Sequence, residues 1–255
     1  MKVVICGEFP EKAEGNIFHS FPLSWEVHIV PPSGLASELS NADILIPEHV
    51  EINADLLSKA PKLKLVQTGA GYDNVDLKAC TEFGVQACNA AGVNAYAVAE
   101  HVMALILSWY KNIPYLDHFL KDRGEADQLD YTGAELYGKT IGIIGLGHVG
   151  RIVAEYCNAF HMTVLGYSHK LIEMCSVEQV DLDTLFRDSD IISLHVPLTD
   201  STRHLINAET FSKMKPDALL INTSRGGTVD EAALITALEN KDISGASVSY
   251  THLRA

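Results

Sequence analysis

The chain is short of positive charge. Of its 255 residues, 19 are Lys or Arg against 33 Asp or Glu, a formal net charge of −14. That imbalance argues against nucleic acid or an anionic membrane as partner and favours solubility. Long apolar runs are missing as well, since none approaches the ~20 residues that span a bilayer. The opening stretch Met1-Lys2-Val3-Val4-Ile5-Cys6-Gly7 reads as strand and turn, with too short an apolar run for a signal peptide. Cysteine is sparse and unpatterned. Cys6, Cys80, Cys88, Cys157 and Cys175 include no C-x-x-C, which points to reduced thiols, a cytoplasmic location and no metal site. Tandem repeats and low-complexity segments are absent too.

What is present is an ordinary globular composition, 47% hydrophobic and 20% charged. Short apolar runs alternate with helical stretches, which argues for βαβ units and parallel sheets. The first part offers strands at Val3-Ile5, Glu26-Val30, Ile44-Pro47, Leu65-Thr68 and Val85-Ala87, with helices at Gly34-Ser40 and Ala54-Ala60. Asn94 to Lys111 reads as one long helix, apolar around most of its circumference and therefore largely buried. A polar connector follows, Lys121 to Tyr137, and the domain junction is placed along this helix and connector. The second part predicts strands Thr140-Ile144, Thr163-Tyr167, Ile191-His195 and Ala218-Asn222. Its helices are Arg151-Ala159, Leu182-Arg187, Ala208-Lys213 and Glu231-Glu239, the last with Asp230 as N-cap.

Within that alternation, Gly145-Leu146-Gly147-His148-Val149-Gly150 places a G-x-G-x-x-G between a strand and a helix. Gly145 suits the tight turn, Gly147 a close approach of backbone to a pyrophosphate, and Gly150 close helix–sheet packing. The helix N-terminus would present free N–H groups and its positive dipole end to the phosphates. Arg225 ends another strand, beside Gly226 and Gly227, where a guanidinium could hold a carboxylate bidentately.

Together these stretches resemble the D-isomer-specific 2-hydroxyacid dehydrogenase family, of glyoxylate/hydroxypyruvate reductase type. The matching pieces are Gly69-Ala70-Gly71-Tyr72-Asp73-Asn74-Val75-Asp76, Ala97-Val98-Ala99-Glu100-His101, Gly138 to Gly147, His195-Val196-Pro197-Leu198-Thr199 and Asn222-Thr223-Ser224-Arg225-Gly226-Gly227. The resemblance implies an α/β protein in which a Rossmann-type doubly wound parallel sheet follows a flavodoxin-like substrate lobe. Residues 1–93 would be that lobe, 94–120 a connecting and dimerisation helix region, and 121–247 the NAD(P)-binding domain. It also implies an oxidoreductase that moves a hydride between NAD(P)H and a small 2-keto or D-2-hydroxy acid, as a homodimer.

Carried onto this chain, Arg225 would be the catalytic residue that holds the substrate carboxylate and polarises the keto oxygen. Gly69, Ala70 and Gly71 would line the substrate side. Gly145 to Gly150 would cradle the pyrophosphate, while His195, Val196, Pro197, Thr202, Thr223 and Ser224 would flank the rest of the cofactor. The family's acid/base is a His paired with a Glu, both downstream of the Arg. His195 is not expected in that role. His101 reads as a core or interface group on the long helix, and His148 as facing solvent or the phosphates.

Two departures from the family pattern stand out. An NAD-specific site places an acid at the end of the second strand, about 20 residues past the glycines. Here that place reads Gly166-Tyr167-Ser168-His169-Lys170, without a carboxylate. Ser168, His169 and Lys170 could instead meet a 2′-phosphate, so NADP(H) is favoured over NAD(H). The second departure is Val248-Ser249-Tyr250-Thr251-His252-Leu253-Arg254-Ala255. Ser249 falls where the family has an Asp that meets the nicotinamide carboxamide. Residues 248–255 are read as a non-native tail on a chain whose C-terminal part is missing, which makes the fragment inactive. The rival reading is a non-catalytic NAD(P)-binding regulatory or sensor protein on the same scaffold.

Overall fold

The computed structural model describes residues 1–48, 50–123 and 133–248. The chain divides into two compact units, one over Met1–Val93 and a second beginning at Asn94. The first runs β1 (Lys2–Cys6), α1 (Glu11–His19), β2 (Glu26–Val30), α2 (Leu35–Glu38), β3 (Ile44–Pro47), α3 (Ala54–Ser58), β4 (Leu65–Thr68), α4 (Leu77–Glu82) and β5 (Gln86–Asn89). All strand pairings in it are parallel, in the order β2-β1-β3-β4-β5, which is the flavodoxin-like arrangement. Val4, Cys6, Leu45 and Val66 project from one face of this sheet into a core shared with Leu35, Leu57, Ala79 and Cys80 of α2, α3 and α4.

Among the differences from the sequence reading, two concern α2 and α1. The helix expected over Gly34-Ser40 is broken into a 3-10 turn at Pro32–Gly34, the single turn α2, and a second 3-10 turn at Leu39–Asn41. Helix α1 carries no recognisable apolar stripe because none of its residues is buried, and tertiary burial is what usually betrays a helix in sequence.

The second unit runs α5 (Ala95–Tyr110), α6 (Ile113–Arg123), β6 (Thr140–Ile144), α7 (His148–Ala159), β7 (Thr163–Tyr167), β8 (Glu178–Gln179) and α8 (Leu182–Asp188). It continues through β9 (Ile191–Leu194), α9 (Ala208–Phe211), β10 (Leu219–Asn222), α10 (Glu231–Asn240) and β11 (Gly245–Val248). Its parallel sheet has the order β11-β10-β9-β6-β7-β8, with the first strand in the middle. Alternate residues face opposite cores. Ile141, Ile143, Ile191, Leu219 and Ile221 join α5 and α7, whereas Ile144, Ile192, Leu194 and Leu220 join α8, α9 and α10. Both faces are therefore covered, which is why these strands read as unbroken apolar runs.

Helix α5 is not buried all round. Ala95, Ala99, Val102, Met103, Ile106 and Tyr110 form its buried stripe. Tyr96 stays 66% exposed, and His101 is exposed rather than a core group. The chain ahead turns at Asn112, whose φ is +53°, into the separate helix α6. Val248, the first residue of the expected tail, belongs to β11 and stands opposite Asn222 in the parallel register. Residues 249–255 lie outside the described residues.

Candidate functional site

Strand order reverses between β6 and β9, so the topological switch point of the second sheet lies at their carboxyl ends, where open α/β sheets bind ligands. Gly145 follows β6 there and His195 follows β9. The His195 N–H donates to the Ile144 carbonyl at 2.8 Å, and the Gly145 N–H donates to the Tyr167 carbonyl at 2.9 Å. Gly145 has a φ of +101°, and a Cβ on it would lie 2.5 Å from the His195 carbonyl oxygen. On Gly150 a Cβ would run into the Gly145 carbonyl. These two glycines are demanded by the chain's own packing. Gly147 is different, because a Cβ there would meet nothing within 4 Å. The space above it is left open, as a close-approaching ligand requires.

Helix α7 begins at His148, three residues earlier than the sequence reading placed it, so the last half of the glycine motif is its first turn. The N–H groups of that turn have no partner inside the helix and sit at its positive end. The loop is pinned by Arg151, whose Nε donates to the Leu146 carbonyl at 3.0 Å. The Leu146 side chain is buried in the core, leaving its main chain for the site. Val149 packs against the same core, and His148 is exposed. A pyrophosphate thus has donors, a dipole and room here, and the fit is good.

At the end of β7, Ser168 is half-buried while His169 and Lys170 are exposed. The Lys170 N–H donates to Ser168 Oγ at 3.4 Å. A hydroxyl that accepts in this way still has its own proton to donate.

Beyond β9, His195 is half-buried and its Nε2 lies 2.9 Å from Ser193 Oγ. Desolvation by burial pushes its imidazole down to about 4, so it is neutral at physiological pH. It lies past the end of the strand, not within it. Val196 is half-buried and Pro197 exposed, and Thr202 closes the turn by donating from Oγ1 to the Pro197 carbonyl at 2.6 Å.

After β10 the turn through Thr223, Ser224 and Arg225 is organised by Asn222, which is fully buried. Its Oδ1 accepts from the Ser224 N–H at 3.0 Å and from Ser224 Oγ at 2.7 Å, and its Nδ2 donates to the Arg225 carbonyl at 3.0 Å. The sequence reading does not single out this hub. The signal available was an Asn at a strand end, a residue that closes turns through its own side chain. Arg225 is half-buried, with Nη1 donating to the Ser224 carbonyl at 3.1 Å. Thr223 Oγ1 is buried and among the described residues has no hydrogen-bond partner, an orphan that a ligand could satisfy. Asp230 caps α10, accepting from the Ala233 N–H at 3.2 Å.

In the first unit, Gly69, Ala70 and Gly71 follow β4. The Asn89 Nδ2 donates to the Ala70 carbonyl and the Ala90 N–H to the Gly69 carbonyl, both at 2.9 Å. A Cβ on Gly69 would meet open space. Among the described residues no group of three His, Cys, Asp or Glu side chains is placed to hold a metal ion.

Residues 103–251 match the family described as D-isomer specific 2-hydroxyacid dehydrogenase, NAD binding domain. The chain is 38% identical to a glyoxylate reductase of Thermococcus litoralis, over 97% of this chain and 79% of that one. It is 40% identical to a D-3-phosphoglycerate dehydrogenase of Methanocaldococcus jannaschii, over 84% of this chain, and spans only 42% of that protein's length. Among solved structures, an acyclic imino acid reductase in complex with NADPH and D-Arg is similar with a TM-score of 0.87. It is 32% identical and is matched over 98% of this chain and 82% of that one.

Proposed function

The chain belongs to the D-isomer specific 2-hydroxyacid dehydrogenase family, and on that premise we propose that the protein moves a hydride between a nicotinamide cofactor and a small 2-keto or D-2-hydroxy acid. The observation that carries this reading is Gly147, a glycine for which the chain's own packing has no use, at the switch point and at the head of α7. The cofactor supplies the hydride; the protein binds, orients and sets charge. The first-turn N–H groups of α7 hold the pyrophosphate. Thr223 and Ser224 lie toward the reacting end, together with the segment from His195 to Thr202. Arg225 pairs with the substrate carboxylate and stabilises the negative charge that grows on the keto oxygen. Gly69, Ala70 and Gly71 present main chain to the substrate.

The cofactor of choice is NADPH over NADH, supported by the hydroxyl, ring and ammonium of Ser168, His169 and Lys170 where an acid would select NADH. The protein works in the cytoplasm, with all five cysteines free, and among the described residues no helix is long and apolar enough to cross a membrane. It pairs as a homodimer through the α5–α6 region, where Tyr96, Ile113 and Tyr115 leave apolar surface exposed. Residues 1–93, 94–120 and 121–247 serve as substrate lobe, connecting region and nucleotide-binding domain.

By themselves, residues 1–255 bind nucleotide with little turnover. Among the described residues, the imidazoles near the switch point, His148 and His195, have no carboxylate partner, and His195 is held neutral. The test is NADPH consumption with glyoxylate or hydroxypyruvate. A form of the protein that carries the acid/base pair is expected to turn over near ~10 s⁻¹, and its Arg225→Gln variant to lose about a hundredfold or more in kcat/KM with nucleotide binding unchanged. Intact nucleotide binding with no turnover in that protein would instead favour a non-catalytic sensor.

A further inference from the structure

We propose that Gln179 sets discrimination for the cofactor's 2′-phosphate without touching it, by fixing the main chain that carries Ser168, His169 and Lys170. The inference rests on the NADPH reading above. Strand β8 is two residues long and pairs with β7, with Gln179 opposite Gly166. So short an edge strand contributes little to the sheet. Its Gln side chain, however, reaches back across the loop with both ends of its amide. Oε1 accepts from the Ile172 N–H at 2.7 Å, and Nε2 donates to the Lys170 carbonyl at 3.2 Å.

The two bonds bracket Leu171, which is 87% exposed and anchors nothing. Past that point the loop is tied down by other means. Ile172, Met174 and Val177 pack on the core, and Asn158 of α7 donates to the Ser176 carbonyl at 3.1 Å. Ahead of it, Ser168 to Lys170 has left β7, and Gln179 is the group that joins this stretch to the anchored part. It engages only main-chain atoms. Among the described residues neither His169 nor Lys170 has an ion-pair partner, so their side chains are left to a ligand.

A phosphate gains most from donors already held at fixed separations, because the ordering cost is then met before binding. The α7 terminus holds the pyrophosphate independently of this loop. Loosening the loop should therefore weaken recognition of the 2′-phosphate alone.

The test is calorimetric titration of wild type and Gln179→Met, a side chain of similar length without hydrogen bonds. The probes are adenosine 2′,5′-bisphosphate and 5′-AMP, which lacks the 2′-phosphate. Wild type is expected to prefer the bisphosphate by about tenfold, the scale of charge-assisted hydrogen bonds. The variant should lose roughly fivefold to tenfold on the bisphosphate, as expected for one or two lost hydrogen bonds, and keep its affinity for 5′-AMP. Unchanged discrimination in the variant overturns the role of Gln179 and leaves the NADPH reading standing. Parallel loss of both ligands also overturns it, by showing a merely structural role. A wild type without preference for the bisphosphate overturns both. A second measurement needs no variant: the Ile172 amide of unliganded wild type should be protected from hydrogen exchange, and exchange at an unprotected rate would contradict the proposal.

Discussion

The carbonyl oxygen of His195 stands where a side chain on Gly145 would have to go, 2.5 Å from the position of its Cβ. The two residues close the switch point from β9 and β6, and Gly145 adds a left-handed φ of +101°. Gly145→Ala must therefore strain the backbone and displace the His195 carbonyl together. It is expected to cost about 2–3 kcal/mol, seen as a fall in Tm of roughly 5–10 °C. Nucleotide binding should fall with it. An unchanged Tm would mean that this turn is softer than its geometry requires.

Cofactor choice should follow the end of β7. Ser168→Asp puts a carboxylate where it would repel a 2′-phosphate and where a ribose 2′-hydroxyl would donate to it. NADPH is expected to bind about tenfold or more weakly in the variant and NADH more tightly, with thermal stability unaltered. Fluorescence titration of both cofactors checks this, and a variant with the wild-type ratio would remove Ser168 from cofactor selection.

His195 should report acid sensitivity rather than catalysis. Its folded-state pKa, pushed down to about 4 by desolvation, lies below the usual 6.5. The unfolded chain therefore binds more protons in that interval, and the group's contribution is full above about pH 6.5 and lost as pH falls toward 4. Urea unfolding at a series of pH values should show a shallower loss for His195→Asn than for wild type across that window. Equal slopes would show that the imidazole is not desolvated.

Much of this arrangement is legible in the sequence because local signals agree with the fold. The strands at Glu26–Val30, Thr140–Ile144 and Thr163–Tyr167 are short runs rich in β-branched and other apolar residues, and their limits coincide with those in the structure. The glycine motif is legible for the same reason, since strand, turn and helix follow one another at the required spacing. What stays hidden depends on partners far along the chain or on burial. Helix α1 buries nothing, so it has no stripe to find. The apolar circumference of α5 reads as buried, but the chain covers only one side of it. Asn222 and Gln179 act through side-chain bonds whose partners the fold supplies, and no periodicity marks them.

On the proposed reading, Gly147 is glycine for a ligand and not for the packing of the fold. The decisive measurement is titration of wild type and Gly147→Val with NADPH, beside thermal unfolding of both without ligand. A Cβ at 147 meets nothing within 4 Å, and valine at the N-cap of α7 costs about 1 kcal/mol, so the Tm should fall by no more than about 4 °C. The dissociation constant should rise by at least about tenfold, because the added methyls occupy the place of the pyrophosphate. An unchanged dissociation constant would contradict the assignment of this loop, and with it the nucleotide site.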